Sequence, residues 1–169
     1  MTVLIDTERL QMRHFTLADL EAVYAFSSHD EVTRYTGDAG MVRSRDDARR
    51  IIEEVWLAEY QRYGYARYAL VHKGDNRVIG FCGMKYETHI GATDIGYRML
   101  PQYWGQGLAK EAVAALLPYA RDVLGLKRII GDVVDINLAS ARLLQSVGFK
   151  QIDQFEDQGF TLLRFELNL

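Results

Sequence analysis

The sequence predicts a mixed α/β (α+β) fold: one sheet of antiparallel and parallel strands with helices on both faces. Three observations carry that expectation. First, "YARYALVHK" and "RVIGFCGMKYET" are strand-like runs separated by "GDN", a hairpin turn signal; "FKQIDQFED" and "GFTLLRFEL" repeat the arrangement around Asp157 to Gly159. Second, "RIIGDVV" is short and nearly all apolar, as a central strand buried on both faces must be. Third, two helical stretches stand between strands and therefore act as crossovers.

Taken in order, "RLQMRHF" alternates, with Leu10, Met12 and His14 on one side, and reads as a half-buried strand. "TLADLEAVYAFSS" reads as a helix capped by Thr16 with Asp19 three residues on, burying Leu17, Leu20, Val23 and Tyr24. "SRDDARRIIEEVWLAEYQRYG" is a second helix. Ser44 caps it, Asp46 and Asp47 suit its positive end, and Gly64 closes it. After the first hairpin, "ATDIGYRML" is a strand ended by Pro101. Helical spacing returns at Leu108, Ala112, Ala115, Leu116 and Tyr119, with Pro118 inside the helix, where a kink is expected. "LASARLLQSVG" is a helix closed by Gly148, and the final hairpin follows it.

The totals limit function. With 169 residues and no repeat, linker or low-complexity tract, residues 1–169 are expected to form a single domain. The net charge is 20 − 23 = −3, which gives no footprint for nucleic acid or an anionic membrane. The single cysteine, Cys82, excludes an internal disulfide and any multi-cysteine metal site, and four scattered histidines show no ligand spacing, so no metal is expected. Early charges argue against a signal peptide and no apolar run spans a bilayer, so the expected location is the cytoplasm.

Two stretches carry chemistry. "QYWGQGLAKEA" places Gly105 and Gly107 between a strand and a helix. Bare backbone at a helix N-terminus serves either a tight turn or close approach of a phosphate. A P-loop needs a Lys-Ser or Lys-Thr pair, which is absent, and a dinucleotide fingerprint needs a third glycine where Lys110 stands. In "DINLASARLLQSVGF", Asn137 occupies an N-cap position, and Ser140 shares a face with Leu143, Leu144 and Val147. A hydroxyl there either satisfies nearby backbone or faces something bound.

Together these stretches resemble the GNAT superfamily of acyl-CoA-dependent N-acetyltransferases, whose pyrophosphate loop reads Q/R-x-x-G-x-G/A; "QYWGQG" fills it. The nearest likeness is to the RimJ/RimL branch, named for ribosomal-protein N-terminal acetyltransferases. "TERLQMR", "IGFCG", "DIGY", "PQYWGQGLAKEA" and "NLASARLLQSVGF" follow that branch's pattern in order from Thr7 to Phe149. Two positions depart from it: Asp94 stands where glutamate is common, and "QSVGF" replaces a charged E-K-L-G-F.

The resemblance implies a GNAT-type splayed sheet and direct attack of an amine on acetyl-CoA, with no acyl-enzyme. It implies that Gln102, Tyr103, Trp104, Gly105, Gln106, Gly107, Leu108 and Ala109 hold the CoA pyrophosphate. Met99, Leu100 and Asn137 would serve the pantetheine arm, with an oxyanion donor among the N–H groups of Arg98 to Leu100. Ser140 would sit beside the CoA sulfur, and Asp94 would take the acidic, base-like position, with Glu87 and His89 as relays. Tyr35, Trp56 and Glu87 are the expected acceptor-side residues. The partner is then an amine acceptor, a protein N-terminus or a small amine, with no nucleic acid and no membrane; a homodimer through the final hairpin is a further expectation. The alternative is a catalytically idle acyl-CoA-binding domain on the same fold. Cys82, in an apolar strand without a base, reads as a buried small residue, and "RDDARR" as a solvated helix face.

Overall fold

The computed structural model describes residues 1–169. The strands are β1 (Ile5–Asp6), β2 (Leu10–Arg13), β3 (Arg67–His72), β4 (Arg77–Glu87), β5 (Ala92–Met99), β6 (Arg128–Val134), β7 (Lys150–Asp157) and β8 (Phe160–Asn168). They form one eight-stranded sheet in the order β1-β2-β3-β4-β5-β6-β8-β7. All neighbours pair antiparallel except β5 and β6, which run parallel. Helix α5 (Leu108–Asp122) makes that parallel step, carrying the chain back from the end of β5 to the start of β6. Helix α6 (Leu138–Ser146) then connects β6 to the final hairpin.

Alternation along β4 sorts the helices onto two faces. Phe81 meets Phe26 of α1 (Leu20–Ser27) at 6.0 Å between ring centroids and Trp56 at 5.9 Å. Cys82, the next residue, points the other way. Its cross-strand partner Tyr68 meets Tyr119 of α5 edge-on at 6.2 Å. The expected mixed sheet covered on both faces is therefore the observed one.

Local sequence explains most helix ends. Ser44 accepts from the N–H of Asp47 and starts α3 (Arg45–Arg50). The helix continues through a π-helical stretch, Ile51–Leu57, into α4 (Ala58–Tyr63), and Gly64 ends it with φ of 81°. Ile52, Trp56 and Tyr60, each four apart, point into the core. Thr16 and Asp19 form the expected capping box, but they open a short 3₁₀ turn, Leu17–Asp19, ahead of α1. That tighter turn rotates the expected face: Leu17 is 46% exposed, while Val23 and Phe26 are fully buried. A four-residue helix, α2 (Asp30–Thr33), follows α1 and carries no strong sequence signal. Helix α5 runs through Pro118, whose missing N–H costs roughly 3 kcal/mol in a helix interior. No helix is long and apolar enough to cross a membrane.

The feature that positions the site is the seam between β5 and β6. These strands share a single register pair, Asp94 with Ile130, near their starts. Beyond it they part toward Met99 and Val134, leaving strand edges unpaired inside the molecule.

Candidate functional site

A groove of about 1090 Å³ occupies the gap between β5 and β6. One end is walled by the loop into α5. Pro101–Tyr103 makes a single 3₁₀ turn, then Gly105 and Gly107 adopt φ of 72° and 77°, a left-handed region costly for residues with a Cβ. The backbone N–H groups from Gly105 to Lys110 donate to no protein acceptor. Successive free N–H groups at a helix N-terminus form a positive concavity suited to an anion. A Cβ on Gly105 would meet nothing within 4 Å, and one on Gly107 only Arg9 Nη2 at 3.6 Å, so the space beside the loop is open.

The start of the chain braces this loop. Arg9 donates from Nη1 to the Gln106 carbonyl at 2.8 Å and from Nε to Glu111 Oε1 at 2.7 Å. The Thr7 hydroxyl and the Arg9 N–H both donate to Glu111 Oε2, at 2.6 and 2.9 Å. Desolvation works against this carboxylate, but the hydrogen bonds from Thr7 and Arg9 outweigh it and hold Glu111 below its ordinary value. Gln106 Nε2 reaches back to the Gln102 carbonyl at 3.1 Å, so both glutamines shape the loop rather than line the groove. Tyr103 is buried, donates to Asp75 and packs its ring 5.1 Å from His72, while Trp104 is half exposed. Both border the groove, as do Gly105, Gly107, Leu108 and Ala109.

At the end of β5, alternation decides which backbone groups are free. The Leu100 N–H donates to the Ile79 carbonyl, and the unbroken β4–β5 register gives the Arg98 N–H to Phe81 in the same way. Leu100 is buried and turned toward β4, so it is removed from the expected cofactor contacts. The Met99 N–H faces the gap instead. Met99 lines the groove, and its carbonyl accepts from Trp104 Nε1 at 2.8 Å.

Across the gap, Asn137 caps α6 by accepting from the Ser140 N–H at 3.4 Å, and both residues line the groove. The Ser140 hydroxyl lies 2.6 Å from the hydroxyl of Tyr97, on β5. Burial pushes the Tyr97 phenol up to about 12, against the pull of its Ser140 hydrogen bond.

Asp94 points to the opposite face of β5 from Tyr97 and meets a different set of groups. Arg67 Nη2 donates to its Oδ1 at 3.0 Å, while Arg67 Nη1 donates to the Gly83 carbonyl at 3.0 Å. The guanidinium lies where a Cβ on Gly96 would stand, 2.7 Å from that point, so the "IGY" glycine makes room for it. Burial raises the Asp94 carboxyl above its ordinary value despite the attraction of Arg67. Arg98, also on this face, donates to Asp38 Oδ2 at 2.9 Å and sits 4.7 Å from the centre of the Phe81 ring. Asp94 and Ser140 thus border one groove from opposite sides of the sheet.

The three expected acceptor-side residues separate. Tyr35 lines the groove. Trp56 does not: it is 5% exposed and stacked on Phe15 at 4.3 Å, a core residue carried inward by the long helix. Glu87 does not either. It ends β4 opposite Ala92, with its carboxylate 3.6 Å from His89 Nδ1, beyond the groove wall. Sequence reading missed Tyr97, Arg67, Lys110 and Arg142, all of which border the groove. Tyr97 lies within "DIGY", but only the register places its hydroxyl on α6. No group of three or more His, Cys, Asp or Glu is placed to hold a metal ion.

Comparison with known proteins agrees with this geometry. Residues 9–150 match the acetyltransferase (GNAT) domain family. The chain is 35% identical over 153 residues to the Bacillus subtilis (strain 168) protein named "Uncharacterized N-acetyltransferase YoaA", covering 89% of this chain and 85% of that one. Among solved structures, RimL, a ribosomal L7/L12 α-N-protein acetyltransferase in complex with coenzyme A, superposes with a TM-score of 0.87 at 16% identity, over 99% of this chain and 98% of that one. A spermidine N-acetyltransferase from Vibrio cholerae, in complex with CoA and spermine, gives 0.78 at 16% identity over 96% of each chain. This chain belongs to the GNAT acetyltransferase family and is an acyltransferase.

Proposed function

We propose that this acyltransferase uses acetyl-CoA to acetylate a primary amine directly, in a ternary complex, on the pattern of the RimJ/RimL branch. One observation carries the proposal: the unpaired N–H groups from Gly105 to Lys110 stand at the mouth of a gap between parallel strands. The residues present fit acetyl-CoA. The loop N–H groups suit its pyrophosphate, Lys110 and Arg142 bring positive charge to the same groove, and the Met99 N–H and Asn137 amide suit the amide-rich pantetheine arm. Bound there, acetyl-CoA supplies an activated thioester carbonyl.

The remaining chemistry falls to side chains on the two faces. Asp94 accepts the proton released by the attacking amine, directly or through one water. Its burial makes it a stronger base than an exposed aspartate, and Arg67 holds only Oδ1, which leaves Oδ2 for the proton. Ser140 donates a hydrogen bond to the departing sulfur. Direct transfer is supported by the state of Cys82, which is fully buried with its thiol pushed up to about 12, so it offers no thiolate nucleophile. Tyr35 contributes to acceptor binding. An α-amine, with its ordinary value near ~7.7–8.0, needs less help from Asp94 at neutral pH than a lysine near ~10.4.

The test is release of CoA thiol from acetyl-CoA in the presence of pooled N-terminal peptides, amino acids or polyamines. Release that depends on one pool is the expected result, and dividing that pool names the acceptor. CoA binding with no release from any pool contradicts the catalytic assignment.

A further inference from the structure

We propose that Tyr97 is a positioning residue that fixes the Ser140 hydroxyl so that its proton points into the groove. The inference rests on the reading of Ser140 given above and adds a residue to it. Only Ser140 lies within hydrogen-bond reach of the Tyr97 hydroxyl: its Oγ at 2.6 Å and its carbonyl at 3.4 Å. Both residues border the groove, Tyr97 from β5 and Ser140 from the first turn of α6.

The direction of the short hydrogen bond follows from acidity. A phenol, ordinarily near ~10, is a better donor than an alkanol, so Tyr97 donates and Ser140 Oγ accepts. Ser140 is then left with its own proton, and the Tyr97 bond restricts where that proton can point. A hydroxyl that accepts one hydrogen bond also becomes a stronger donor for the next. During transfer, the amine lone pair forms the new C–N bond, the C–S bond breaks, and its electron pair stays on sulfur. The amine proton leaves to Asp94. No proton need pass from Ser140 to sulfur: the chain Tyr97 O–H···Ser140 O–H···S⁻ stabilises the thiolate by hydrogen bonding alone. The two faces of β5 thus divide the work, with Asp94 serving nitrogen on one and Tyr97 serving sulfur through Ser140 on the other.

The test uses free CoA and needs no acceptor. The thiol of CoA bound to the protein is titrated by thiolate absorbance, subtracting the same titration with desulfo-CoA to remove tyrosine. In the wild type, the bound thiol should titrate below free CoA measured alongside. Tyr97→Phe and Ser140→Ala should each raise it by roughly 0.5–1 unit, a three- to tenfold change in thiolate fraction. The double variant should go no higher than Ser140→Ala alone, because Tyr97 acts through Ser140. Both substitutions delete one oxygen and keep the surrounding shape; equal melting midpoints verify folding. A shift in Ser140→Ala but none in Tyr97→Phe, or two shifts that add, overturns the role of Tyr97 and leaves that of Ser140 standing. No shift in Ser140→Ala overturns both. Failure of the wild type to bind CoA overturns the proposed function itself, and this inference with it.

Discussion

Arg9 and Glu111, 102 residues apart in the chain, form an ion pair at 2.7 Å that clamps the loop before α5. Arg9 also holds the Gln106 carbonyl, so the guanidinium bridges the first turn of the helix and the loop it caps. Glu111 in turn gathers Thr7 and the Arg9 N–H. The clamp keeps the N–H groups of Gly105 to Lys110 aimed outward without using them.

Glu111→Ala should therefore loosen the loop. The carboxylate is partly buried, and its loss leaves several donors unpaired, at a cost of about 1–3 kcal/mol. CoA affinity should fall roughly tenfold, about 1.4 kcal/mol, with kcat at saturating acetyl-CoA nearly unchanged. The pH dependence has a definite sign. The folded-state value of Glu111 is depressed, so its stabilisation is present above the ordinary 4.5 and is lost as pH falls through the folded value. The difference in melting midpoint between wild type and variant should shrink below that pH; a constant difference down to pH 3 contradicts the clamp.

Gly105→Val and Gly107→Val force a β-branched residue into positive φ, at about 1–2 kcal/mol of strain per residue. The valine side chain also stands where an anion would meet the loop. Each variant should retain a cooperative melt and lose CoA binding in calorimetry. Unchanged affinity in either would remove the loop from the binding site.

Asp94 predicts the acid side of the pH–rate profile. Burial raises its folded-state value, and the proposed base would work only when ionised, so activity should rise with pH through a limb above the ordinary 3.8. Arg67 pulls that value down, so Arg67→Met should move the limb to higher pH. Asp94→Asn should abolish the limb and lower kcat by roughly 10²–10⁴, the usual range for a general base. A limb that persists unmoved in Asp94→Asn assigns the base elsewhere.

Trp56 and Tyr35 separate packing from recognition. Trp56→Ala empties a core position against Phe15 and Phe81 and should cost about 3–5 kcal/mol in chemical denaturation. Tyr35→Ala should leave stability within about 0.5 kcal/mol and raise KM for the acceptor. The reverse pattern would contradict their placement.

The sequence was most informative where chemistry and local structure coincide. Ser44, Gly64 and Asn137 are local devices, and each caps or ends the element expected of it, while Thr16 caps a 3₁₀ turn ahead of its helix. The two crossovers and the hairpins required the mixed sheet, because a parallel neighbour cannot be reached by a tight turn. What the chain order hides is long-range. The 3₁₀ turn before α1 and the π-helical stretch in the long helix change which side chains face inward, so Leu17 lies outside and Trp56 lies inside. Leu100 and Glu87 sit near groove-lining residues in sequence, but strand alternation and the β4–β5 turn carry them away from the groove. Conversely, Arg67 reaches Asp94 only because Gly83 and Gly96 leave the space between β3 and β5 clear.

The central claim is that the N–H groups of Gly105 to Lys110 grip the CoA phosphates. The most direct measurement follows those amides in a nitrogen-edited NMR titration with CoA. These amides should move downfield together and saturably, as free donors gain charged acceptors. Binding of CoA that leaves these resonances in place, or no binding at all, would contradict it.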